Sequence, residues 1–111
     1  GTSVRDYIHV MDLAAGHLKA MNTLNSSHSC QAYNLGTGNG YSVLQVVEAF
    51  AEASGRKIPY QIVDRRSGDI AKCFADPSLS SDNLNWKAEY SLPEMVRDHW
   101  HWQVQNPRGY K

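Results

Sequence analysis

The chain has 111 residues, 41% of them hydrophobic, and its eleven basic side chains balance eleven acidic ones. This length suits one small domain, residues 1–111, with a core of modest size. The balanced charge argues against a nucleic-acid-binding surface, and the short, interrupted apolar runs argue against a membrane-spanning helix, so we expect neither partner.

The first third of the sequence predicts a strand, a helix and a second strand. A short strand around Tyr7 and Ile8 precedes a helix that begins near Asp12, whose carboxylate can cap free amides. A polar loop at residues 22–29 follows, and residues 31–35 predict the next strand. Apolar residues at helical spacing should turn the helix towards a core: Leu13, Ala14, Leu18, Met21 and Leu24.

Two capping boxes mark the starts of two longer helices. Ser42 with Gln45 begins one helix, which Gly55 ends, and Ser91 with Glu94 begins the other. Their apolar stripes are Val43, Val46, Val47 and Phe50 in the first, and Leu92, Met95, Val96, His99 and Trp102 in the second.

The segment between these helices predicts one more strand and a short helix. Residues 58–63 predict the strand, and Asp64 follows its carboxyl end. Asp76 as the cap and Pro77 at the first helical position begin the helix, and Asn85, which tolerates a positive φ, ends it. The alternation of strands and helices predicts an α/β class whose sheet is completed by chain outside these residues.

The glycine-rich turn at residues 36–40, GTGNG, has the surroundings of a dinucleotide-binding loop. It follows a predicted strand and precedes a helix, and Asp64 follows the next strand. The fingerprint needs a third glycine three residues after the second, where this chain has Tyr41. We therefore interpret it as a tight structural turn and not as a cofactor loop.

Histidines and cysteines predict neither a metal site nor a disulfide. The five histidines lack the helical i, i+4 pairing of a zinc site, and His99 and His101 point to different faces of their helix. His9, between two apolar residues, is predicted to be a hydrogen-bonded core histidine. Cys30 and Cys73 are far apart without a Cys-x-x-Cys motif, so we expect reduced thiols. The start of the chain lacks a charged leader followed by a hydrophobic stretch, which favours a cytoplasmic protein.

Two segments place an arginine close to an aspartate at the edge of an apolar run. They contain Arg5 with Asp6, and Arg66 with Asp69. A guanidinium can hold a phosphate with two parallel hydrogen bonds, and a carboxylate can accept from sugar hydroxyls. This combination is typical of a site for a sugar nucleotide.

Three motifs in order extend this interpretation: VRDYIHV at residues 4–10, YNLGTG at 33–38 and RRSGD at 65–69. The chain resembles, over essentially its whole length, the carboxyl-terminal part of the UDP-glucose (UDP-galactose) 4-epimerase family of extended short-chain dehydrogenases/reductases. In that family the cofactor loop and a Tyr-x-x-x-Lys pair lie in an amino-terminal half, and no tyrosine here has a lysine four positions on. The resemblance implies a small mixed α/β UDP-sugar-binding portion, with the Rossmann half and its NAD outside these residues.

The resemblance also implies roles for individual side chains. Arg5 and Arg66 would bind the UDP phosphates, and Asp69 the ribose hydroxyls. Cys73 would border the sugar pocket, where in this family cysteine is associated with accepting N-acetylated sugars and tyrosine with rejecting them. Ser67 stands where the family usually has glutamate. The implied substrate-binding residues are Arg5, Tyr7, Arg66, Ser67, Gly68, Asp69 and Cys73.

The neighbouring charged residues are interpreted as structural or solvent-exposed, without a role in binding. Asp6 and Asp12 are interpreted as structural, either holding a neighbouring arginine or capping a helix, and Arg65 as solvated.

The activity implied by the resemblance is the interconversion of UDP-galactose and UDP-glucose. Cys73 extends the implied substrates to the N-acetylated pair. In the mechanism that the resemblance implies, NAD would take hydride from C4 of the sugar, the 4-keto sugar would turn over, and the hydride would return to the opposite face. The resemblance implies no catalytic, cofactor-binding or metal-binding residue in this chain, and a homodimer for the intact protein. Two alternatives stay open: a nucleotide-sugar dehydratase or decarboxylase of the same superfamily, and a free-standing nucleotide-binding or assembly module.

Overall fold

A computed structural model describes residues 2–24 and 30–110 of the chain. Within these ranges lie four helices, which are α1 (Val10–Asn22), α2 (Val43–Ser54), α3 (Ser78–Leu84) and α4 (Leu92–Gln105). The same ranges contain three two-residue strands, which are β1 (Val4–Arg5), β2 (Tyr41–Ser42) and β3 (Lys72–Cys73). The small mixed α/β class is therefore confirmed.

The three strands form one sheet in the order β2-β1-β3. The central strand β1 runs antiparallel to β2 and parallel to β3, so that Arg5 is the register partner of both Tyr41 and Cys73. The predicted strand around Tyr7 and Ile8 is wrong, because the ladder ends at Arg5 and the chain then turns towards α1.

Helix α1 begins two residues before the predicted position. His9 is its N-cap, and the ring Nδ1 accepts from the amide of Met11 at 3.0 Å. Asp12 does not cap the helix; its buried carboxylate accepts from the amides of Glu89 and Tyr90, each at 3.1 Å. The structural interpretation of Asp12 holds, but its partners come from a distant loop.

The apolar face of α1 does not face a core within the described residues, so that prediction is wrong there. Leu18 and Met21 are each 63% exposed, and the buried positions of the helix are Asp12 and Gly16. A Cβ at Gly16 would lie 2.6 Å from Leu35, so the helix packs through its glycine side. Asn22 ends α1, and residues 25–29 of the predicted loop lie outside the described residues.

The predicted starts of α2 and α4 are confirmed. Gln45 donates its amide to Ser42 Oγ at 3.2 Å, and Ser42 donates its amide to the Gln45 side chain at 2.8 Å. Gly55 ends α2 with φ 63°. The Glu94 carboxylate accepts from Ser91 N at 2.8 Å and Ser91 Oγ at 2.7 Å. Capping thus fixes both helices through contacts that span only three residues.

Helix α3 is confirmed with a shift of one residue. It begins at Ser78 after Pro77, and the Asp76 carboxylate accepts from Ser78 N at 3.0 Å. Asn85 ends it with φ 48°, as predicted.

The predicted strands at residues 31–35 and 58–63 are wrong for the described part of the chain. Neither segment pairs with a strand there, and the side chains of Ile62 and Val63 are exposed. A strand needs a neighbour to accept its hydrogen bonds, and an apolar pattern alone does not provide one.

The buried core is formed by residues of α3, α4 and the loop between them. Its hydrophobic members are Leu84, Trp86, Leu92 and Val96. Trp86 is only 2% exposed, and its indole N–H donates to the backbone oxygen of Asp12 at 2.9 Å. In the described ranges no helix is long and apolar enough to span a membrane.

Candidate functional site

Arg5 is anchored at the centre of the small sheet. Its Nη1 donates to the backbone oxygen of Val4 at 2.8 Å and to that of Ile70 at 2.9 Å. A guanidinium carries five N–H donors, and these two bonds use those of one nitrogen. Three donors stay available, so Arg5 is held in place and can still bind an anion.

Cys73 lies directly beside Arg5. The two residues are register partners in the parallel pairing of β1 with β3, and the Cys73 thiol is free and exposed. Paired residues of neighbouring strands share a face of the sheet. The sheet therefore brings together two predicted site residues that are far apart in sequence.

Residues 66–69 form a tight turn that carries an exposed ion pair. Asp69 N donates to Arg66 O at 3.2 Å, and Gly68 adopts φ 85°, a left-handed conformation that favours glycine. Arg66 Nε lies 3.2 Å from Asp69 Oδ2, and Arg66 Nη2 lies 3.4 Å from Oδ1. Arg66 is 86% exposed and Asp69 29% exposed. Such surface pairs contribute about 0–1 kcal/mol, so a ligand can replace either partner at small cost.

The turn and the sheet form one continuous segment around Arg5. Ile70, which accepts from Arg5, follows Asp69, and Ala71 O accepts from Val4 N at 2.9 Å. The structure thus places six of the seven predicted residues on β1, β3 and the preceding turn, which are Arg5, Arg66, Ser67, Gly68, Asp69 and Cys73.

Tyr7 lies on a different feature of the molecule. It lines a mainly apolar groove of about 630 Å³, together with Phe50 and side chains of α4 such as Val96 and Trp102. The structure gives Tyr7 a place beside α4, whereas the other six residues gather at the sheet.

His9 is buried beside this groove and is a hydrogen-bonded core histidine, as predicted. Its ring stacks on Tyr90 at 4.2 Å, and because Nδ1 accepts from Met11, its Nε2–H donates to Asp98 Oδ2 at 3.2 Å. Arg97, which donates to Asp98 Oδ1 at 2.9 Å, lowers the pKa of Asp98, and the bond from His9 adds to the effect. Among the described residues no three metal-binding side chains cluster.

The glycine-rich turn does not fit the pyrophosphate of NAD. The amides of Thr37 and Gly38, each at 3.0 Å, donate to the Asp6 carboxylate, where a cofactor phosphate would need them free. A Cβ at Gly36 would lie 2.6 Å from Asp6 Oδ2. These contacts support the interpretation as a structural turn. They also correct the partner of Asp6, which binds backbone amides and not a neighbouring arginine.

Comparisons with known proteins agree with this geometry. The family described as GDP-mannose 4,6 dehydratase matches residues 1–99. The UDP-glucose 4-epimerase of Pasteurella multocida (strain Pm70) is 57% identical over 111 residues, which are 100% of this chain and 33% of the relative. The UDP-glucose 4-epimerase of Homo sapiens is 56% identical over 110 residues, which are 99% of this chain and 32% of the relative.

A solved structure extends the similarity to three dimensions. The crystal structure of UDP-glucose 4-epimerase from Bifidobacterium longum in complex with NAD+ and UDP matches with a TM-score of 0.91 and 49% identity, over 98% of this chain and 32% of that chain. The chain thus spans about a third of the length of the relatives it matches. The resemblance inferred from the sequence motifs is confirmed, and the chain belongs to the GDP-mannose 4,6 dehydratase family.

Proposed function

We propose that this chain is the UDP-sugar-binding part of a UDP-glucose 4-epimerase, an isomerase that interconverts UDP-galactose and UDP-glucose. One observation carries the proposal. Arg5 is anchored by a hydrogen bond to Ile70, keeps three N–H donors for a ligand, and lies next to the turn that presents the exposed guanidinium of Arg66. Two guanidinium groups match the charge and geometry of a diphosphate. The names of the relatives and the UDP bound in the Bifidobacterium longum structure support the choice of ligand.

Each site residue receives a role that its contacts permit. Arg5 and Arg66 bind the phosphates, and Asp69, once released from Arg66, accepts from the ribose hydroxyls. Cys73, exposed beside Arg5, borders the sugar. The residues that complete the substrate-binding set are Tyr7 in the groove, and Ser67 and Gly68 in the turn.

When the nucleotide binds, Arg66 exchanges its ion pair with Asp69 for bonds to a phosphate. This exchange suits a site that must hold its nucleotide while the sugar turns. The ion pair is weak at the surface, whereas charge-assisted bonds to a phosphate shielded by the bound ligand are stronger. Holding the substrate by its UDP leaves the sugar ring free to present either face to the reacting groups.

We infer that NAD, which accompanies UDP in the Bifidobacterium longum structure, is bound by the rest of the protein, because the glycine-rich turn of this chain is filled by Asp6. When bound, NAD supplies hydride transfer, and the catalytic base is likewise assigned to the rest of the protein. A cytoplasmic homodimer is the proposed form of the whole protein.

The test compares the full-length protein with the 111-residue chain. We expect the full-length protein to bind UDP in a calorimetric titration and to convert UDP-galactose to UDP-glucose, whereas the isolated chain shows no conversion and binds no NAD. Absence of UDP binding by the full-length protein would overturn the proposal. Conversion by the isolated chain would overturn the assignment of NAD and the catalytic base to the rest of the protein.

A nucleotide-sugar dehydratase is the second candidate, because the matching family is described as a 4,6 dehydratase. The product distinguishes the two activities. A 4,6 dehydratase releases water and accumulates a 4-keto-6-deoxy sugar, whereas an epimerase returns a hexose of unchanged mass, and mass spectrometry of the UDP-sugar product separates these outcomes.

A further inference from the structure

The carboxylate of Asp6 lies in a cradle of four hydrogen-bond donors. Oδ1 accepts from Thr37 N at 3.0 Å and from Thr37 Oγ1 at 2.7 Å. Oδ2 accepts from Gly38 N at 3.0 Å and from Ala75 N at 3.2 Å. Three of the four donors are backbone amides, which are fixed in place and suit an anion. The glycine-rich turn is therefore an anion cradle whose occupant is a side chain of the same chain.

The shape of the cradle matches this occupant closely. A Cβ at Gly36 would lie 2.6 Å from Asp6 Oδ2 and 2.6 Å from Ala75 Cβ, so any larger residue would displace the carboxylate. Gly38, whose amide donates to Asp6, has φ 76°, a conformation that favours glycine. The two glycines thus serve the internal carboxylate, one by leaving space and the other by its backbone conformation.

The cradle joins segments that are distant in sequence at the end of the sheet. Thr37 and Gly38 lie 31 and 32 residues from Asp6, and Ala75 lies 69 residues from it. Asp6 directly follows Arg5, and Ala75 lies two positions after Cys73. Strands β1 and β3 pair over only two residues each, so the ladder contributes few bonds of its own. The Asp6 carboxylate therefore links these segments by hydrogen bonds at the point where the strand ladder ends.

We propose that Asp6 is a positioning residue of the UDP-sugar site. By filling the cradle it holds Arg5 beside Cys73, so that the free guanidinium donors meet the phosphates and the thiol borders the sugar. The proposal rests on the proposed function, and Asp6 itself contacts only the protein.

The test uses the full-length protein with Asp6→Ala, which removes one carboxylate and leaves space for a formate ion. We expect the Kd for UDP to rise about tenfold, the loss expected for one misplaced charged hydrogen bond. We also expect the melting temperature to fall. Added formate should shift both values back towards wild type, and chloride at the same ionic strength should not. Asp76→Ala is the matched control, because Asp76 accepts from Ser78 in its own turn, and its UDP affinity should stay unchanged.

Three outcomes overturn the proposal. Formate that restores neither value shows that the cradle does not select an anion, and a lower melting temperature with an unchanged Kd shows that Asp6 stabilises the fold without positioning the site. If Asp6→Ala fails to fold, Thr37→Val takes its place, because it removes the hydroxyl that donates to Asp6 at nearly equal side-chain size. We expect Thr37→Val to raise the Kd for UDP a few-fold. An unchanged Kd for this variant is the third outcome that overturns the proposal. If the wild-type protein binds no UDP, the proposed function is contradicted. In that case, rescue of the melting temperature of Asp6→Ala by formate still shows whether the cradle binds an anion.

Discussion

Arg66 and Arg65 are neighbours in sequence with different surroundings, and they provide a matched pair for mutation. Arg66 pairs with Asp69 at the turn, whereas Arg65 is an exposed arginine one position earlier. We expect Arg66→Ala to weaken UDP binding by about 1.5–3 kcal/mol, the usual contribution of a hydrogen bond to a charged group. Arg65→Ala should leave the affinity within about 0.5 kcal/mol of wild type. Calorimetry on the full-length variants measures the two UDP affinities. Equal Kd values for the two variants would show that Arg66 does not bind UDP.

Cys73 is the residue that we expect to set the range of sugars. Under the proposed function, we expect the full-length protein to interconvert the N-acetylated UDP-sugars as well as the unsubstituted pair. Cys73→Tyr should abolish only the former activity, because a ring fills the space for the acetamido group. Cys73 is exposed, so a tyrosine there would not overpack a core. The measurements are both sugar pairs on both variants, together with a melting curve. Loss of the two activities in parallel with a lower melting temperature would show a structural role.

The sequence predicts which side chains lie together where their contacts are local, and it does not where the contacts depend on distant partners. Arg66, Gly68 and Asp69 lie in one turn, and their proximity follows from the order of residues. The four partners of Asp6 come from two remote segments, and no spacing rule predicts them. The burial of Trp86, the most buried large side chain, is equally unpredictable, because a lone tryptophan between polar residues carries no periodic pattern.

At the scale of elements, helix ends are predictable and strands are not. The capping side chains of α2 and α4 bond to backbone groups three residues away, so the sequence contains both partners. A strand depends on a neighbour that the same stretch of sequence does not contain. The segment at residues 58–63 has the right composition for a strand, yet lies unpaired within the described residues.

Glu94 makes the start of α4 sensitive to acid. Its hydrogen bonds from the amide and hydroxyl of Ser91 lower the pKa of Glu94 below its ordinary value of 4.5. The unfolded chain therefore takes up this proton at a higher pH than the folded chain does, and the stability from the ionised group is lost as the pH falls through the folded pKa. We expect Glu94→Gln to lower the melting temperature at pH 7, and the difference from wild type to shrink below pH 4.5. Melting curves from pH 7 downwards measure this, and a constant difference across that range would contradict it.

In the molecule as a whole, the described residues bury few large hydrophobic side chains and expose many. Only four hydrophobic side chains form the core of the described residues. Helix α1 instead exposes one apolar face, composed of Val10, Met11, Leu18 and Met21. The chain also spans about a third of the length of its relatives. Exposed apolar faces of this size mark surfaces that another part of a protein covers, and we expect the remaining length of the protein to cover this one.

We expect the isolated 111-residue chain to associate in solution and to bind a hydrophobic dye. Leu18→Lys with Met21→Gln replaces two apolar side chains on the exposed face of α1 by one charged and one polar side chain, and both new residues keep the helix propensity. This pair of changes should reduce dye binding and shift the sedimentation towards monomer. His17→Glu adds a charge to the same helix without removing an apolar side chain, and it should leave dye binding high. A wild-type chain that sediments as a clean monomer without binding dye would show that the 111 residues form an autonomous domain, because association driven by apolar surface requires that surface to be accessible.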